Sequence, residues 1–137
     1  MYYIKTKMKN IKFRLLKYLY YFSLFILFVL YLFPGSLIGY FLYGNLGQQP
    51  DLISNPIGTS FNHFIFFVYL STLGLILRLR AKKFLNSFSF LFTLSILLEL
   101  SHWLIPNRAF EYYDLFANSI GVAITYLLIS IFLKLKD

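Results

Sequence analysis

At 137 residues the chain has room for one domain at most. Its composition is 59% apolar and 22% aromatic with only 13% charged residues, where a soluble domain carries about 25% charge, so most of the surface is expected to face lipid. The absence of cysteine excludes disulfides and thiolate metal sites. The net charge of +8 falls in short clusters beside apolar runs, a distribution that serves membrane orientation rather than nucleic-acid binding.

Residues 1–17 carry Lys5, Lys7, Lys9, Lys12, Arg14 and Lys17 without an acid and read as a basic cytoplasmic N-terminus. The apolar run 18–33 is the first expected span. It is long for a signal-peptide core and no A-x-A site follows it, so an uncleaved signal anchor is expected. Residues 34–60 hold Pro34, Gly35, Gly39, Gly44, Gly47, Pro50, Pro56 and Gly58 and are expected to be irregular. Within them Ser36–Tyr43 is apolar enough to lie in the membrane interface. The second span, 61–77, places His63, Phe67, Leu70 and Gly74 on one helical face.

After it come Arg78, Arg80, Lys82 and Lys83, then a third span over 84–105, a fourth over 114–133 and a cytoplasmic tail over 134–137. The expected fold is therefore all-α, an integral membrane bundle of four transmembrane helices forming one domain over residues 18–133. Twelve of the thirteen Lys and Arg residues fall on one side of this topology and only Arg108 on the other. The positive-inside rule then makes both termini cytoplasmic, and the expected location is the cell membrane, multi-pass.

The polar residues concentrate in Leu98–Gly121, LELSHWLIPNRAFEYYDLFANSIG, between two long apolar runs. An ionisable residue in such a run is expensive and is a functional-site candidate. Glu99 and His102 are three apart on one helix face. Asp114, Asn118 and Gly121 share another, and Pro106-Asn107-Arg108 forms a turn between them. On this topology Glu99 lies about 9 Å and Asn118 about 6 Å below the outer helix ends, at 1.5 Å per residue. Both converge with His63, His102 and Asp114 under a lid made by residues 34–60.

Burial disfavours the charged form of a carboxyl, so Glu99 with His102 suits general acid–base chemistry; a structural ion pair is the alternative. Arg108, with its forked donors, suits an anionic group of a substrate, or else a surface pair with Glu111 or Asp114. Asp114 could cap the fourth span. Asn118, too deep for capping, is expected to bond across the helix interface, and Ala117 and Gly121 form a small-residue packing stripe. Tyrosines and Trp103 near span ends read as interface anchors. Glu99-x-x-His102 is half of a di-iron motif whose other carboxylates are missing. A mononuclear site of two histidines and one carboxylate is conceivable, but no metal and no cofactor are expected. No Ser-His-Asp constellation and no glycine-rich phosphate loop is present.

The ordered set Glu99, His102, Pro106, Arg108, Asp114, Asn118, Gly121, with His63 opening a Phe-rich span, resembles the VanZ-like family of small membrane proteins. There the second position is usually glutamine, where this chain has His102. An aspartate-lysine pair often precedes the span-two histidine, where this chain has Thr59 and Ser60. The resemblance covers 61–128. It implies a cell-envelope protein, with founding members associated with resistance to teicoplanin-type glycopeptides, and brings no established reaction. The expected partners are membrane lipids and a lipid-linked or sugar-bearing envelope molecule, bound through Arg108, Asp114, Asn118 and His63. An intramembrane enzyme using Glu99, or a small transporter component acting as a homo-oligomer, are the alternatives.

Overall fold

The computed structural model describes residues 2–136, with side chains from Asn10 onward. Met1, Asp137 and the side chains of residues 2–9, among them Lys5, Lys7 and Lys9 of the basic N-terminus, lie outside the described residues. Five helices follow one another: α1 (Tyr2–Leu32), α2 (Leu37–Tyr43), α3 (Ser60–Arg78), α4 (Phe88–Ser101) and α5 (Tyr112–Lys136). The described residues contain no strand.

α1 runs unbroken because nothing between residues 2 and 32 interrupts it; it stops where Pro34 and Gly35 follow, Gly35 taking the left-handed φ of 94° that side chains avoid. Ser36 then caps α2, its hydroxyl accepting the Gly39 N–H at 2.9 Å. Gly44, at φ 67°, ends that helix by donating to Tyr40 O at 2.8 Å. The seven residues of α2 present Tyr40, Phe41, Leu42 and Tyr43 outward, as an interfacial helix does. The chain turns back over α2 at Gln48, whose carbonyl oxygen comes so close that a Cβ on Gly39 would lie 1.6 Å from it. Asn62 at the start of α3 holds the returning loop, donating to Pro50 O at 2.8 Å and accepting the Leu52 N–H at 3.3 Å.

The four longer helices run antiparallel in sequence order. Tyr31 near the end of α1 meets His63 near the start of α3, and Leu91 early in α4 approaches Gly74 late in α3. Glu99 late in α4 meets Asn118 early in α5. Two glycines permit the closest approaches. A Cβ on Gly74 would lie 2.9 Å from the Tyr20 ring, and one on Gly121 would lie 2.9 Å from Phe64 O and 3.2 Å from Phe67 Cβ. The first seats α1 against α3; the second lets the α5 backbone touch α3. Tyr20, Phe67, Leu70, Leu91 and Val122 form the fully buried centre of the core. His63, Phe67, Leu70 and Gly74 are all buried along one face of α3.

At the opposite end the α3–α4 turn is tied internally. Asn86, fully buried, donates to Ala81 O at 2.8 Å and accepts the Lys83 N–H at 3.0 Å, and the Tyr20 hydroxyl donates to Leu85 O. The outward faces carry large apolar side chains, among them Phe22, Phe25, Leu127, Leu128 and Phe132, each more than half exposed. Such a continuous apolar exterior belongs against lipid.

Asn10–Leu32, Ser60–Arg78 and Tyr112–Lys136 are long and apolar enough to cross a bilayer. The third expected span, 84–105, folds differently. Residues Phe84–Asn86 make one 3-10 turn, Ser87 turns extended and caps α4 through Phe90 N at 3.1 Å, and α4 holds 14 residues. At 1.5 Å per residue it is about 21 Å long, against a hydrocarbon core of about 30 Å.

A buried polar cluster as candidate functional site

Five polar side chains from α3, the end of α4 and α5 meet beneath the loop 34–59. Glu99 and Asn118 are fully buried, and His102, Asp114 and His63 are 3%, 3% and 8% exposed. A polar group so placed has to find partners, since an unmatched one costs about 1–3 kcal/mol, and nearly all of them do. Glu99 Oε1 faces His102 Nδ1 at 3.2 Å and accepts the Glu111 backbone N–H at 3.2 Å, while Oε2 accepts from Asn118 Nδ2 at 3.4 Å. Asn118 Oδ1 accepts the Tyr31 hydroxyl at 2.8 Å, and the Tyr31 oxygen lies 2.6 Å from His63 Nδ1. His63 Nε2 faces Gln49 Nε2 at 2.9 Å and Asp114 Oδ2 at 3.4 Å. Asp114 Oδ1 accepts the Ser60 hydroxyl at 2.5 Å. The exception is His102 Nε2, which is buried without a hydrogen-bond partner.

Tyr31 is the hub of this network and escaped sequence reasoning. It was expected among the interface anchors; instead it is 8% exposed. Its ring stacks on His102 at 5.3 Å and meets His63 edge-on at 5.4 Å. Gln49 and Ser60 were missed too: Gln49 comes from a loop without periodicity, and Ser60 stands at a position where the resemblance suggested only a departure. Asp114 lies in the first turn of α5, yet its side chain turns to Ser60 and His63.

Arg108 is half-buried. It pairs with neither Glu111 nor Asp114; Nε donates to Phe33 O at 3.3 Å and Nη2 donates to Leu30 O. These are carbonyls left open by the end of α1, so Arg108 clamps α1 to the α4–α5 turn while keeping three N–H groups in reserve. That turn uses Asn107 at φ 59°, a conformation asparagine tolerates. Burial lowers the Arg108 pKa from its ordinary value, and the Glu111 pKa is raised by burial first and then by Asp114 and Glu99. Of the packing stripe, Gly121 and Thr125 are buried and Ala117 is half-buried.

Two adjoining cavities open from the cluster. One encloses about 650 Å³ with its mouth and runs between Leu27, Leu30, Leu37, Ile38 and Phe66 to a polar end at Tyr31 and His63. The other, about 640 Å³, is lined by Thr59, Asn107, Glu111 and Asp114. Ser36, Gln49, His102 and Arg108 belong to both. Glu99 and Asn118 line neither; they sit one layer behind.

The fold and this site define an all-α membrane protein with a polar cluster enclosed at one end of its helices. The family model described as VanZ/LLP1 matches residues 7–133, and the chain belongs to that family. No curated protein and no solved structure matches the chain significantly.

Proposed function

We propose that this VanZ-like envelope protein crosses the cell membrane four times with both termini in the cytoplasm. Its cluster then faces the outer leaflet and binds an amphipathic envelope molecule, a lipid-linked or sugar-bearing precursor in class. The observation that carries the reading is the pair of adjoining cavities, one walled by aliphatic side chains and one by polar ones, which share His102 and Arg108. An acyl or prenyl chain matches the first, and a head group with hydroxyls or an anion matches the second. The reserve N–H groups of Arg108 supply the forked donors such a head group needs. The distribution of Lys and Arg supports the orientation. In this topology α4 crosses the bilayer despite its length.

The arrangement of His102 favours a catalytic version of the same reading. With Nδ1 on the Glu99 carboxylate and Nε2 unpartnered at the cavity wall, His102 is the group that touches the substrate and Glu99 is its positioning residue. This parallels the carboxylate–histidine pairs of acid–base catalysis.

Teicoplanin and vancomycin susceptibility of a sensitive Gram-positive host tests the proposal, with wild type, Arg108→Ala, Ile38→Trp and Glu99→Gln expressed at matched membrane levels. Ile38→Trp fills the apolar cavity. The expected outcome is selective protection by the wild type that Arg108→Ala and Ile38→Trp both lose. Protection retained in Glu99→Gln sinks the catalytic version and leaves binding. Protection that survives both cavity variants, or none from the wild type, overturns the link between this cleft and glycopeptide resistance.

A further inference from the structure

At the walls of the two cavities and just behind them, three lone-pair donors from three helices meet. A ring nitrogen of His63 (α3) and one carboxylate oxygen each of Glu99 (α4) and Asp114 (α5) lie within 4.8 Å of one another. All three residues are more than nine-tenths buried.

The neighbours fix the tautomer of His63. Asn118 gives its amide N–H to Glu99, so its Oδ1 faces Tyr31 and takes the one hydroxyl proton. The Tyr31 oxygen can then only accept from His63, which makes Nδ1 the N–H and leaves Nε2 an acceptor, met by the Gln49 amide at 2.9 Å. That lone pair faces Asp114 Oδ2 at 3.4 Å. Two acceptors facing each other in a buried site form a pair that a cation between them would join. Arg108 does not fill that role: it makes no ion pair with Asp114 or Glu99, and its hydrogen bonds go to Leu30 O and Phe33 O. Among the described residues, only histidines contact these two carboxylates as ion-pair partners.

The spacing of the His63–Asp114 pair suits a metal, with the Glu99 carboxylate near enough to close on the same ion. Two ligands about 2.0–2.1 Å from a tetrahedral ion stand about 3.4 Å apart, the separation of His63 Nε2 and Asp114 Oδ2. The second, independent observation is His102: 3% exposed, its Nε2 without a partner, it stands in the wall of both cavities. We propose that His63, Glu99 and Asp114 form a binding site for a divalent transition-metal cation, with an open coordination position toward the cavities and His102 beside it. Imidazole with carboxylates selects the zinc and manganese class over calcium, and three protein ligands with an open position describe a catalytic rather than a closed structural site. Tyr31 then serves as the partner that orients His63 through Nδ1. The cation would also offset the charge of Glu99, Asp114 and Glu111, so that an anionic head group meets a site that no longer repels it.

Gln49 donates to the same His63 nitrogen at 2.9 Å, so it competes with the cation and stands as the gate. This gives the test a variant that gains affinity, which misfolding cannot imitate. Tag-free full-length protein in nanodiscs is stripped with a chelator. It is then titrated calorimetrically with Zn²⁺ and Mn²⁺, and its metal content is measured after gel filtration; Co²⁺ serves as an optical probe of the geometry. The expected result is one Zn²⁺ or Mn²⁺ per chain. Affinity should fall more than about tenfold in His63→Ala and Asp114→Asn and rise in Gln49→Ala. Substoichiometric binding by the wild type, or affinity unchanged in both ligand variants, overturns the site. No lipid or glycopeptide is present in the experiment, so a metal-free result leaves the amphipathic cleft standing.

Discussion

The hydroxyl of Tyr31 is the one atom that ties α1 to the cluster, by accepting from His63 and donating to Asn118. Tyr31→Phe removes it and leaves two buried partners open. The expected loss is about 1–3 kcal/mol in thermal or denaturant unfolding, with the fold retained because the ring stacking survives. A variant as stable as the wild type would mean that water replaces the hydroxyl. The sequence exposed the ionisable members of the cluster because Glu99, His102 and Asp114 stand out against apolar runs. Tyr31 stayed hidden for the opposite reason. It is one of 12 tyrosines, a residue type that suits membrane interfaces, lipid contact and buried networks alike. The clamp that Arg108 makes on the end of α1 was equally unreadable, because it joins residues 78 positions apart.

At the scale of elements, the decisive piece is the loop with α2. Its many glycines and prolines marked residues 34–60 as a connection, but the stretch expected to be irregular contains the capped helix α2 over Leu37–Tyr43. That Gly39 packs its bare Cα against Gln48 O was not legible. Gly39→Ala is expected to lift the returning strand of the loop and withdraw Gln49 from His63 without unfolding the helices. Hydrogen exchange should then rise over residues 45–59 and stay unchanged over α3 and α5. Uniform protection would show that the loop adapts around the methyl. The length of α4 was misjudged for a local reason. The Phe- and Leu-rich run continues through Ser87, and only the extended backbone there, with the buried Asn86, reveals that the helix starts late.

At the scale of the whole molecule, hydropathy and charge made the all-α membrane class readable, because length and composition leave an apolar exterior no other solvent. The crossing of α4 and the side on which the cluster opens rest on the charge bias. The native chain has no cysteine, so single cysteines report topology cleanly. Leu104→Cys, beside the cluster and 88% exposed, is expected to react with a membrane-impermeant maleimide on intact cells. Lys82→Cys, in the α3–α4 turn, is expected to react only after lysis. The reverse pattern would turn the cleft toward the cytoplasm and remove the envelope ligand from consideration.

The shortness of α4 has an effect beyond the protein itself. In the proposed four-span topology, a helix of about 21 Å in a hydrocarbon layer of about 30 Å leaves a mismatch that the surrounding lipid has to absorb, and the usual response is local thinning of the bilayer. On the flank of α4, head groups would then be drawn down toward Glu99 and His102 at its end. The lipid-borne ligand proposed above would then reach the cleft by sliding sideways along a dimple, rather than by rising out of its leaflet.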